Sequence, residues 1–223
     1  MFRQLGNRVG EAIGLLHLGE FALYQGDDEG ARASLGQALA IAREISYRGV
    51  EGESELRLGE AAILAGDRDE AAARFASSLA VCRGAGDRRG EANAQRWLGK
   101  AALDGGDLAS ARRRLGDALR DLAAFEMREE MVDCLEDHVA LSLREGRPEH
   151  AAQLAGAVAQ ARVRLALARP PRDERAWRAL VDRLHGELPD DRFDAAWNRG
   201  QGWETREAVR EALVPAGNTA VRG

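Results

Sequence analysis

The chain is poor in several residue types, and each shortage excludes something. Cysteine occurs twice, at Cys82 and Cys134, too few for a disulfide or zinc framework, so a reducing cytoplasm is the expected compartment. Proline occurs five times in 223 residues, which leaves long stretches free of the residue that interrupts helices. Aromatic residues make up 5% and β-branched runs are few, which argues against sheet. No apolar run is long enough to span a bilayer, and Met1 is not followed by a signal-peptide pattern. Lys100 is the one lysine among 32 basic residues, and the net charge of −5 argues against a broad nucleic-acid footprint. No G-x-x-x-x-G-K-[ST] run is present to cradle a phosphate. No metal, cofactor, membrane or direct nucleic-acid contact is expected.

What remains is rich in alanine, leucine, arginine and glutamate, which are strong helix formers, and it repeats. Leu18-Gly19-Glu20 returns as Leu58-Gly59-Glu60 and as Leu98-Gly99-Lys100. Gly26-Asp27 returns as Gly66-Asp67 and Gly106-Asp107, with Gly146-Arg147 one period later. Ala31, Ala71, Ala111 and Ala151 keep the same register, as do Leu35, Phe75 and Leu115. A fixed period of this length is the signature of a stacked array. The glycine near the end of each first half belongs where a helix must stop with positive φ. The Asp after it can cap the next helix. The glycine of each Leu-Gly pair is read as letting two helix backbones approach, and the alanine column as the point where the two helices of a hairpin touch.

This reading predicts an all-α fold with helices over 8–25, 28–45, 48–65, 68–84, 88–105, 108–125, 128–145 and 148–168. A hairpin of this kind cannot bury its apolar face alone, so the pairs must stack. The fourth unit is degenerate, with Val139 replacing the glycine and Ala155 the large residue. Glu55 and Gln95 stand where the column begun by Leu15 calls for an apolar side chain, which is expected to weaken packing locally.

The spacing L-G-(x)₂-A, a turn, then A-(x)₃-[LF]-(x)₂-A resembles the tetratricopeptide repeat, in the longer form of about 40 residues found in kinesin light chains and bacterial signalling regulators. The resemblance implies a right-handed α-solenoid of about four hairpins over residues 1–168. Within it, MFRQLGN is the remnant (1–7) of a preceding repeat, because Met1 to Ala12 align without a gap on Val81 to Ala92. Met1 is accordingly expected to open a fragment of a longer chain, leaving an apolar face of the first helix uncovered.

After Ala168 the pattern changes. ARPPRDERAW breaks one helix and starts another, and Trp177, Leu180, Val181 and Leu184 fall at helical spacing. Pro189-Asp190-Asp191 opens a short helix with Phe193 and Trp197, and Thr205 is read as capping a last one. Residues 169–213 are expected to form a helical cap and 214–223 a frayed tail. The stretch LREGRPEHAAQLAGAVAQARVRL, with RPPRDERAW and FDAAWNRGQGWETREAVREAL, is similar to the C-terminal region of bacterial regulators. Those combine a STAND-type ATPase, a tetratricopeptide array and a LuxR- or SARP-type output domain. That likeness implies a sensor or scaffold part of a transcriptional or signalling regulator.

No catalytic constellation assembles, so a non-enzyme is expected. Cys134 and His138 share a helix face but are too few for a metal site. His17, His150 and His185 are read as surface or edge residues, and Glu129-Glu130 and Asp190-Asp191 as helix-start charges. The informative surface is the inner face of each first helix. The resemblance places there Ile13, Leu16 and Glu20; Glu53, Leu56 and Glu60; Asn93, Arg96 and Lys100; and Asp133, Glu136 and Ala140. A face that changes from acidic to basic suits an extended peptide or a partner helix. The alternatives are a receptor for a small molecule or signalling peptide, and self-association into a homo-oligomer.

Overall fold

The computed structural model describes residues 7–215. The expected repeat remnant, except Asn7, and the expected tail beyond Pro215 lie outside the described residues. Within them the chain is all-α, with eleven helices and no strand. Eight follow the repeat: α1 (Arg8–Gln25), α2 (Asp28–Glu44), α3 (Arg48–Leu64), α4 (Arg68–Ala85), α5 (Arg88–Asp104), α6 (Leu108–Ala124), α7 (Arg128–Arg144) and α8 (Pro148–Leu165). Three more follow: α9 (Pro171–His185), α10 (Asp190–Gln201) and α11 (Thr205–Ala212). The chain divides into two compact units, Met1–Ala101 and Ala102–Gly223.

The turns form for the reasons the columns suggest. Gly26, Gly66, Gly106 and Gly146 all have positive φ, between 70° and 85°, the conformation that ends a helix at least cost with no Cβ. Asp27, Asp67 and Asp107 each accept from the backbone N–H three residues on, at 2.9 to 3.0 Å. Arg147 cannot do this, and Pro148 opens α8 instead. The alanine column is fully buried, and so are Leu35, Phe75 and Leu115.

The Leu-Gly column works differently from the expectation. A Cβ on Gly19 would lie 2.4 Å from the Leu35 side chain, and one on Gly59 would lie 2.4 Å from the Phe75 ring. The glycine makes room for the large residue of the second helix, not for a second backbone. Gly59→Ala is therefore expected to cost about 1–3 kcal/mol through overpacking. Gly36→Ala, where a Cβ meets nothing within 4 Å, should gain up to about 1 kcal/mol from helix propensity. Urea unfolding of both variants checks the pair, and a stabilised Gly59→Ala would overturn the packing assignment.

Glu55 also departs from expectation. It is 1% exposed, yet its two oxygens accept from Arg43 Nη2 at 2.5 Å and Arg74 Nη1 at 3.1 Å. A buried carboxylate held by two guanidinium groups thus joins α2, α3 and α4, where the sequence suggested only poor packing.

In the C-terminal unit α7 and α8 form a hairpin, and α10 and α11 pack on α8. Here glycines do bring backbones together. A Cβ on Gly156 would lie 2.2 Å from the Trp197 carbonyl oxygen, and one on Gly200 would lie 1.8 Å from that of Gln153. Phe193, Ala196, Ala208, Val209 and Ala212 are buried beside them. His150 is not a surface residue. It is 9% exposed, with Nδ1 3.1 Å from the Ser142 hydroxyl and Nε2 3.1 Å from the Glu211 carbonyl of α11. A carbonyl can only accept, so Nε2–H donates to it and Nδ1 accepts from Ser142. Thr205 begins α11 without capping it, since Glu204 precedes the helix and no side chain caps its first turn.

Candidate functional site

The first helices of the N-terminal unit bring their acidic residues to one cation. Arg57, on α3, donates through Nε to Glu20 at 3.0 Å, through Nη2 to Glu53 at 2.8 Å and through Nη1 to Glu60 at 2.7 Å. Glu20 comes from α1 and also meets His17 Nδ1 at 2.9 Å. Glu53 and Glu60 lie four residues before and three after Arg57, the two spacings that share a helix face. Three carboxylates around one guanidinium leave surplus negative charge. Burial disfavours the charged guanidinium, but Glu60, Glu53 and Glu20 together outweigh it and raise the Arg57 pKa. Burial raises the pKa of Glu53, Arg57 opposes the rise, and Glu20 and Glu60 add to it. Arg89, from the first turn of α5, also acts on Glu53.

On α5 the character changes. Trp97 stacks on Phe75 with ring centroids 5.3 Å apart and planes at 17°. Lys100 Nζ lies 5.0 Å and Arg96 Cζ 5.5 Å from the Trp97 ring centroid, within cation–π range. Asn93 is half-buried beside them. Acidic α1 and α3 positions thus share this unit with a basic, aromatic α5.

Two expected site residues are not on the open face. Leu16 is 7% and Leu56 2% exposed, and both belong to the hydrophobic core. Ile13 is partly buried against the same core. The fourth set lies on α7 in the other unit and is occupied internally. Arg162 of α8 binds Asp133 and Glu136, each at 2.5 Å, and Arg169 binds Glu136 at 2.7 Å while its guanidinium covers Trp177 at 4.4 Å. Ala140 is half-buried on the same helix. The residue that sequence reasoning passed over is Arg57, which shares one column with His17 and Trp97. The i−4 and i+3 carboxylates around Arg57, Glu53 and Glu60, were the available signal.

Cys134 and His138 are buried and turned onto a backbone group. Cys134 Sγ lies 3.6 Å from the Leu115 carbonyl, which also accepts from the His138 ring. Cys82 is buried, and burial pushes its thiol up to about 11, which makes it a poor nucleophile at neutral pH. Among the described residues no three His, Cys, Asp or Glu side chains are placed to hold a metal ion. No described helix is long and apolar enough to cross a membrane.

Among solved structures the fold has counterparts. A candidate kinesin light chain from Podosopora anserina, with nearly identical TPR-like repeats, aligns over 89% of this chain and 93% of its own. The TM-score is 0.55 and the identity 17%. A variant of that protein with one substitution aligns over 89% and 92%, with the same score and identity. The fold is therefore that of the TPR-like helical-repeat proteins. No protein-family profile and no curated protein sequence matches the chain. TPR-like folds are generally protein-interaction scaffolds and typically non-catalytic.

Proposed function

We propose that this chain is a non-enzymatic protein- or peptide-binding module, with the α1, α3 and α5 face of the N-terminal unit as its docking surface. The observation that carries this reading is the surplus negative charge around Arg57 beside the cationic, aromatic α5. A partner segment fits if it sets basic side chains against Glu20, Glu53 and Glu60 and acidic ones against Arg96 and Lys100. Charge would steer it and fix its direction, while Trp97 supplies apolar area. Residues 169–213 act as a cap in this reading, since α10 and α11 cover α8. The likeness of the tail to bacterial regulators supports a cytoplasmic sensor or scaffold role in transcriptional or signalling control.

The test is capture of partners by the wild-type chain and by an Arg96→Glu/Lys100→Glu variant. Two charge reversals on the face are expected to weaken a true partner by about tenfold or more. Unchanged affinity would sink the assignment, and the absence of any ATPase or output protein among the partners would sink the regulator role.

Self-association is a second reading, favoured by α1. Leu18, Phe21 and Tyr24 are 59%, 63% and 55% exposed, whereas Leu58 and Ala61, one period on, are 5% and 0%. Contiguous apolar exposure of this kind marks interaction surfaces. A monomer by light scattering at high protein concentration would exclude it.

A further inference from the structure

The C-terminal unit contains a cavity of about 190 Å³ lined by residues of α6, α7 and the end of α11. Gly116 leaves space in its wall. A Cβ there would meet nothing nearer than Leu213 Cδ2, at 3.6 Å. Leu213 and Pro215 give the lining an apolar part.

His138 reaches the cavity from α7 and is 2% exposed. Its Nε2 is buried without a hydrogen-bond partner, while the ring donates to the Leu115 carbonyl. Nδ1 therefore carries the hydrogen, and Nε2 is a bare acceptor. Burial holds the ring neutral, with its pKa down at about 4, so the acceptor persists at neutral pH. A buried acceptor with nothing donating to it is costly and calls for an explanation.

The charged part of the lining is mostly positive. Arg112 pairs with Glu145, and Arg120 pairs with Asp117 at 2.6 Å. Arg113, exposed on α6, acts electrostatically on Asp107, the N-cap of the same helix, and makes no closer salt bridge among the described residues. The site thus offers an exposed guanidinium without a close salt bridge, an apolar wall and a buried acceptor. The volume lies below the roughly 300 Å³ at which drug-sized pockets begin, which limits a ligand to a small one.

We propose that this cavity binds a small organic acid. Arg113 holds its carboxylate, Leu213 and Pro215 contact a short apolar body, and His138 Nε2 accepts from a hydroxyl or N–H at the other end. This site is separate from the α1, α3 and α5 face and stands or falls without it.

The test is titration of the full chain with 4-hydroxybenzoate, followed by calorimetry and by the imidazole ¹⁵N resonance of His138. Saturable one-site binding with a shift of that resonance is expected. Benzoate, which lacks the donor, and 4-hydroxybenzamide, which lacks the charge, should each bind about tenfold more weakly. Gly116→Leu fills the cavity at a helix position where leucine is favoured over glycine, so it should abolish binding while keeping the wild-type melting temperature. Arg113→Ala, at an exposed position, should weaken binding about tenfold and keeps the test decisive if Gly116→Leu fails to fold. The proposal is overturned by the absence of saturable binding, by equal binding of the neutral amide, or by a folded Gly116→Leu that binds like wild type. A His138 resonance that does not move would also overturn it.

Discussion

Gly200→Ala is expected to destabilise the C-terminal unit by about 3 kcal/mol or more. In the middle of a helix the same change would ordinarily gain about 1 kcal/mol from propensity, so the sign of the effect is itself diagnostic. The new methyl group would lie 1.8 Å from the Gln153 carbonyl oxygen and 2.6 Å from its carbon. These are backbone atoms of α8 and cannot move aside by changing rotamer. α10 must shift away, and Phe193 and Ala196 then lose the packing that buries them. Gly156→Ala, 2.2 Å from the Trp197 carbonyl oxygen, should act in the same way. Thermal unfolding by circular dichroism, with tryptophan emission as a second probe, measures both. A wild-type melting temperature for Gly200→Ala would contradict the close α8–α10 contact.

Acid is expected to weaken the C-terminal unit before the N-terminal one. His138 and His150 are both buried, and burial brings each pKa from 6.5 down to about 4. Around His138 stand Arg112, which lowers its pKa further, and Asp137 and Glu145, which raise it. Around His150, Arg147 and His138 lower it, and the Glu211 carbonyl and Glu145 raise it. A folded-state pKa below the unfolded one means that the unfolded chain binds more protons in between. The stability from keeping each ring neutral is therefore complete above about pH 6.5 and is lost as the pH falls toward 4. The loss is on the order of 3 kcal/mol for each histidine. His17, in the N-terminal unit, is exposed. Hydrogen exchange between pH 7 and pH 4.5 should show protection falling in α7, α8 and α11 more than in α2 and α3. His150→Gln should remove about half of this pH dependence, because an amide can still donate to the Glu211 carbonyl. Equal loss of protection in both units would contradict the assignment.

The repeat was legible because its contacts recur. Each period writes the same turn glycine, capping Asp and buried alanine, so the eight repeat helices could be placed nearly to the residue. What occurs once was not legible. The Gly156–Gly200 contact joins a degenerate fourth repeat to a non-repeating helix, and no column announces it. Glu55 breaks an apolar column, and only the positions of Arg43 and Arg74 in space reveal why that is tolerated. His150 looked isolated because its partner Glu211 lies 61 residues away.

The candidate face was half legible, and helix geometry explains the error. At about 100° per residue, position 13 lies between 17 and 20 around the helix, while 16 is turned roughly 60° away, toward the hairpin core. The open arc is thus 17, 13 and 20, not 13, 16 and 20. Leu16 and Leu56 fell inside for that reason, and Arg57 and Trp97, one position on in their repeats, lie on the proposed face.

In the proposed function, the α1, α3 and α5 face of the N-terminal unit docks a partner segment of opposite charge pattern. Selection from a random peptide library on the intact chain, followed by hydrogen exchange with the best binder, tests it most directly. Binders with basic residues at one end and acidic residues at the other are expected. Added protection on α1, α3 and α5 is expected too, with loss of binding when Glu20 and Glu60 are replaced by glutamine. Binders without that charge pattern, or protection confined to other helices, would contradict it.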